Sequence, residues 1–280
     1  MRLFWPAVLM LATSCGVADG GLPVVTGAFG TEPAVAVPDG APGRLPRVAV
    51  LSAGQGRRTL PGDVVLADVS VRLWSDGSRQ AGTYEARQPV SVVFDGRTVP
   101  RTWHEALMDR PAGSRVVLVS HAAEAAGPGV PLDGVDPEAV VVVVFDVLGG
   151  YPPDARRVGR PLPTVPAGLP LDRASTLIDG SGPEIQEGAR VVVQYLAMRV
   201  PERRIVDSSF RRGGPSAVTL APGSAPAAWL AGLVGVHVGA RMAVPVPVPV
   251  PEHEPESGAG GADGGRTVYV IDVIDALQPL

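Results

Sequence analysis

The chain contains no lysine; all of its basic residues are arginine. With a formal net charge of -4 and no polybasic run, nothing in it marks a nucleic-acid surface, so no nucleic-acid partner is expected. A P-loop is excluded as well, because that motif needs a lysine on the phosphates. There is a single cysteine, Cys15, so no intramolecular disulfide can form and the fold must hold by packing. Aromatic residues make up 5% of the sequence, which leaves few side chains for an aromatic-lined pocket. Neither GxSxG nor HExxH occurs, and His104, His121, His237 and His253 lack the spacing of a metal pair. No metal or other cofactor is expected. The acidic run from Glu252 to Glu256 reads as a solvated loop. Gly258 to Gly265 reads as flexible chain, since no strand-to-helix turn precedes it.

What the chain has instead is 35 glycines, 30 prolines and 45% hydrophobic residues over 280 positions, enough for one large or two small domains. Its first residues, MRLFWPAVLMLATSCG, carry one Arg, an apolar run from Leu3 to Ala12 and then small residues. This is the layout of a secretory signal, too short for a membrane span. The tetrapeptide ATSC resembles a bacterial lipobox, with Ala12 where leucine is usual. That resemblance implies lipidation of Cys15 and an exported chain anchored to the bacterial membrane, with two or more acyl chains giving stable attachment. A cleaved signal with an incidental cysteine is the competing reading.

The sequence also repeats itself. Gly54, Gly56, Gly62, Pro89, Trp103, Gly113, Arg115 and Asp146 recur 126 positions later as Gly180, Gly182, Gly188, Pro215, Trp229, Gly239, Arg241 and Asp272. Glycine and proline coincidences are cheap here, but a rare tryptophan matched with its flanking spacings is not. Each repeat opens with a β-branched strand, VVLADVSVRLW or VVVQYLAMRV, and continues to a short helix after Pro100 or Pro226. Each closes with two further strands. Connections this short rule out repeated parallel crossovers, so the fold class is α+β and mostly antiparallel. The expected organisation is a signal (1–15), a tether (16–43), a first domain (44–149), a Pro/Gly/Arg linker (150–170) and a second domain (171–280). Pro245 to Pro251 alternates with valine; proline cannot donate to a central ladder, so this stretch must lie on an edge or leave the sheet.

The segment IVDSSFRRGGP (205–215) gathers Asp, Ser and Arg beside turn formers and reads either as a binding-loop edge or as a solvated turn. Together with GARVVVQY, a tryptophan before a short helix, VGARMAV and the terminal strand, it resembles the FKBP-type peptidyl-prolyl isomerases, more strongly in the second repeat than in the first. The resemblance implies two domains, each an antiparallel β-sheet curled around one short α-helix. It implies an apolar pocket for a substrate proline, floored by Trp229, with Tyr195 and Asp207 orienting the bound peptide and Arg212 pairing with Asp207. Val206, Val218, Ala225, Pro226 and Ile271 are the implied walls. Trp103 and Phe145 would be the remnant of the same pocket in the first domain.

The sequence departs from that family where Val206, Ser216 and Ile271 stand in place of phenylalanines, and where Glu252 falls near the place of a substrate-binding tyrosine. In the first repeat, Val69 and Ala81 replace the Tyr and the Asp. The implied function is isomerisation of Xaa-Pro bonds in proline-containing segments of exported proteins. The alternative is a catalytically degenerate binding or chaperone lipoprotein on the same fold. A solute-binding lipoprotein fits poorly, because two small sheet-rich repeats supply no large interdomain cleft.

Overall fold

A computed structural model of the chain describes residues 21–156, 164–247 and 265–279. Cys15, the run from Glu252 to Glu256 and the last prolines of the Val-Pro stretch lie outside the described residues.

A short hairpin comes first, β1 (Val24–Thr26) against β2 (Ala34–Ala36). There follow β3 (Arg47–Ser52), β4 (Val64–Leu73), β5 (Arg79–Gly82), β6 (Val90–Val93), helix α1 (Arg101–Leu107), β7 (Ser114–His121), helix α2 (Ala122–Ala125) and β8 (Val140–Tyr151). The second half holds β9 (Ser175–Ile178), β10 (Arg190–Val200), β11 (Arg204–Ser208), a 3-10 turn (Ser209–Arg212), β12 (Ser216–Thr219), helix α3 (Ala227–Leu233), β13 (Arg241–Pro247) and β14 (Arg266–Leu277).

These strands build two antiparallel six-stranded sheets. One runs β3-β7-β8-β4-β5 with β6 also on β4; the other runs β9-β13-β14-β10-β11 with β12 also on β10. The expected α+β class and antiparallel pairing are thus what the chain adopts. The 126-residue period is visible in the geometry. Helix α3 begins and ends 126 positions after α1, β14 after β8, and β12 after β6. Individual bonds repeat too: Arg115 Nε meets Asp146 Oδ1 at 2.6 Å, and Arg241 Nε meets Asp272 Oδ1 at 2.5 Å. The Val69 amide donates to Thr83 Oγ1 (2.9 Å) as the Tyr195 amide donates to Ser209 Oγ (2.8 Å). Gly54 and Gly180 recur because the chain passes close there; a Cβ would lie 2.0 Å from the Ala112 oxygen in one and 2.2 Å from the His237 oxygen in the other.

Each of helices α1 and α3 follows a proline at its N-cap, where the missing N–H costs nothing. It then buries a tryptophan and a leucine four residues apart: Trp103 and Leu107, or Trp229 and Leu233. Valines on alternate positions of the long strands complete each core, Val65, Val69 and Val143 in the first, Val191, Val193 and Val273 in the second. Each of these valines contributes about 1.5–3 kcal/mol on full burial, so packing supplies what disulfides cannot.

The stretches outside the two sheets are partly built into them. The β1–β2 hairpin lies within the expected tether, and Val25 and Val35 pack against Trp74, Val117 and Val142. At the end of the expected linker, Val165 is buried with Met198, Ala243 and Val268. The Val-Pro stretch begins inside β13. There β9 pairs only with Arg241–Ala243, leaving Pro245 and Pro247 bonded to β14 alone, on an edge.

Candidate functional site

The second sheet brings Tyr195, Asp207, Arg212 and Trp229 together. Tyr195 sits on β10, opposite Ile271 of β14, with its side chain on the core face. Its hydroxyl donates to Asp207 Oδ2 at 2.9 Å, and Arg212 Nη2 donates to the same oxygen at 2.8 Å. The Ser208 amide occupies the other carboxylate oxygen at 2.7 Å. Asp207 reaches this position because β11 hydrogen-bonds to β10 and the 3-10 turn then swings Arg212 back over it. Ser209, fully buried, ties the turn to Gln194 and to the Tyr195 backbone.

Burial pushes the Tyr195 phenol well above the usual tyrosine range, reinforced by the hydrogen bond to Asp207. The hydroxyl therefore stays a donor throughout neutral pH and transfers no proton. The Tyr195 ring meets the Trp229 indole edge-on, with centroids 5.8 Å apart at 77°. Trp229 is 6% exposed, and its Nε1 has no hydrogen-bond partner among the described residues. Ile271 is fully buried beneath the rings, while Val218 and Ala225 are partly buried against the same core. Val206 is 39% exposed and Pro226 is exposed, so these two stand at the margin.

Tyr269 is the aromatic residue that sequence reasoning missed. It lies two positions before Ile271 on β14, so it shares that residue's face, opposite Ala197 and Val244. Its ring is 5.4 Å from Trp229 and 5.7 Å from Tyr195, closing a triangle of three aromatics. The signal was strand alternation in VYVIDV, which puts positions 269 and 271 on one face.

The first unit arranges its equivalent tryptophan differently. Trp103 and Phe145 do come together, edge to face at 4.9 Å. Trp103 is fully buried, its Nε1 donates to the Ala125 carbonyl at 2.7 Å, and Gly127 lies against the indole. Helix α2 and the residues after it cover the ring. A cleft of about 910 Å³ lies elsewhere; Phe29, Tyr84, Arg87, Arg190, Thr219 and Leu277 line it, and none of the three clustered aromatics does. Among the described residues no group of His, Cys, Asp and Glu side chains is placed to hold a metal, and no helix is long and apolar enough to cross a membrane.

Residues 182–268 match the family model described as FKBP-type peptidyl-prolyl cis-trans isomerase. Among solved structures, the chain is similar to the three FKBP domains of wheat FKBP73, at 18% identity over 83% of this chain and 94% of that one, with a TM-score of 0.30. It is also similar to FkpA from Escherichia coli, at 27% identity over 38% of this chain and 47% of that one, with a TM-score of 0.30. A peptidyl-prolyl cis-trans isomerase from Pseudomonas syringae is 24% identical over 38% of this chain and 74% of that one, with a TM-score of 0.28. Comparison with curated proteins returned no match.

Proposed function

We propose, from the match of residues 182–268 to the FKBP-type peptidyl-prolyl cis-trans isomerase family model, that the chain accelerates cis-trans exchange of Xaa-Pro bonds at the aromatic site of its second unit. The observation that carries this is the cluster itself: Tyr195, Asp207, Arg212 and Trp229 lie within the matched segment and touch one another around an apolar floor. The chemistry needs no nucleophile. A planar amide owes a rotational barrier of roughly 18–20 kcal/mol to its resonance. Twisting removes that resonance and much of the bond's polarity, so a dry apolar surface over Trp229 favours the twisted form over the planar one. A ten-fold acceleration needs only about 1.4 kcal/mol of such preference. Val206, Val218, Ala225, Pro226 and Ile271 serve as walls, and the Asp207 carboxylate, held by Tyr195 and Arg212, orients the peptide.

Both units are read as FKBP-like domains, the first a remnant. Its Trp103 is covered by Ala125 and Gly127, so only the second binds a proline ring. A second reading, binding without turnover, is favoured by Val206, Ser216 and Ile271, which leave the walls less aromatic than the family's. Under either reading the chain is exported, anchored to the bacterial membrane through lipid on Cys15, and acts on proline-containing segments of exported proteins.

The test is NMR exchange on a tetrapeptide with one Xaa-Pro bond, using the full chain and its Asp207→Ala and Trp229→Ala variants. The isomerase reading expects faster exchange that both substitutions abolish. No acceleration by the folded wild type, with the peptide still bound, moves the assignment to the non-catalytic reading.

A further inference from the structure

Tyr269 differs from every other residue of the second site in having both a ring in the cluster and a hydroxyl left over. Tyr195 has committed its hydroxyl to Asp207. Tyr269 is only partly buried, and its hydroxyl makes no hydrogen bond to the described residues. Opposite it in the strand pairing stands the small side chain of Ala197. Its phenol is pushed above the ordinary range, first by burial and then by the Asp207 charge, so it remains an O–H donor at neutral pH.

The neighbouring positions sharpen the point. Val206, Ser216 and Ile271 supply no aromatic wall, yet three ring centroids lie 5.4–5.8 Å apart because Tyr269 completes the set with Tyr195 and Trp229. A proline ring packed on such faces leaves the flanking backbone carbonyls at the edge of the cluster. There the Tyr269 phenol is a neutral donor at a half-buried position, Arg212 being engaged by Asp207.

We propose that Tyr269 is a substrate-contacting residue of the second site, its ring a third aromatic wall and its hydroxyl a donor to a peptide carbonyl beside the bound proline. This rests on the reading of that site as a prolyl-peptide site.

Titration of the same tetrapeptide into the full chain, followed by NMR shift changes, tests it with Tyr269→Phe and Tyr269→Leu. Tyr269→Phe keeps the ring, and should weaken binding about five-fold while leaving the thermal midpoint unchanged. Tyr269→Leu should lose about a further two- to ten-fold. A residue that merely packs would give wild-type affinity in Tyr269→Phe, and that result overturns the proposal; because this variant keeps the ring, it decides the matter even if Tyr269→Leu fails to fold. Wild type that does not bind the peptide, or Trp229→Ala that binds it as tightly as wild type, removes the site reading and this inference with it.

Discussion

Trp103 and Trp229 occupy equivalent places 126 residues apart, yet their indole N–H groups end differently. One is bonded to Ala125 under a cap, and the other is buried without a partner among the described residues. The cap depends on Gly127, where a Cβ would come within 2.7 Å of the indole carbons. Gly127→Ala should therefore cost about 1–3 kcal/mol by overpacking, read as a lower urea midpoint at unchanged slope. A midpoint equal to wild type would mean the cap is loose. The pairing of Tyr195, Asp207, Arg212 and Trp229 was legible in the sequence through the motifs that resemble the FKBP-type isomerases, GARVVVQY and VDSSFRRGGP among them. Tyr269 was legible only as one face of an alternating strand; that it turns toward Trp229 depends on β14 lying between β10 and β13.

At the scale of elements, the β1–β2 hairpin is the clearest departure from what composition suggests. Arg115 holds its tip. The guanidinium donates to the carbonyls of Gly27 (2.7 Å) and Ala28 (2.9 Å) while pairing with the buried Asp146, which also accepts the Gly30 amide at 2.6 Å. A Gly/Pro-rich stretch carries too little apolar periodicity to announce such a structure; it is ordered by an ion pair more than eighty residues away in sequence. Arg115→Met should leave Asp146 buried and unpaired at a cost of about 3–5 kcal/mol. It should also expose residues 27–31 to limited proteolysis well before the sheets are cut. Wild-type resistance at the tip would mean that the valine contacts of β1 and β2 hold the hairpin unaided.

The two sheets meet in one molecule through a shared apolar cluster of Val64, Leu66, Leu148, Tyr151 and Val192. Polar links join them as well: Tyr151 donates to Asp275 at 2.8 Å, Gln194 to the Pro153 carbonyl at 2.8 Å, and Arg190 pairs with Asp68. All four tyrosines of the chain, Tyr84, Tyr151, Tyr195 and Tyr269, hold their protons more tightly than usual, chiefly through burial. A proton held more tightly in the folded chain contributes stability that is complete below the ordinary tyrosine pKa of about 10 and is lost as pH climbs toward the raised value. Stability should thus be insensitive to these groups at neutral pH and fall above about pH 10. Tyrosinate absorbance should rise together with loss of the folded circular-dichroism signal; ionisation near pH 10 in a still-folded chain would contradict the burial.

The sequence by itself determined the repeat, the antiparallel class, the helices after Pro100 and Pro226 and the matched pair of tryptophans, because periodicity, proline geometry and a rare residue at constant spacing are local facts. Only the tertiary structure decided that Trp103 is capped while Tyr269 joins Trp229, that the hairpin docks on Arg115, and that the two sheets share an apolar joint. Each of these depends on which surfaces meet across long separations in the chain, and that is set by side-chain packing rather than by any local pattern.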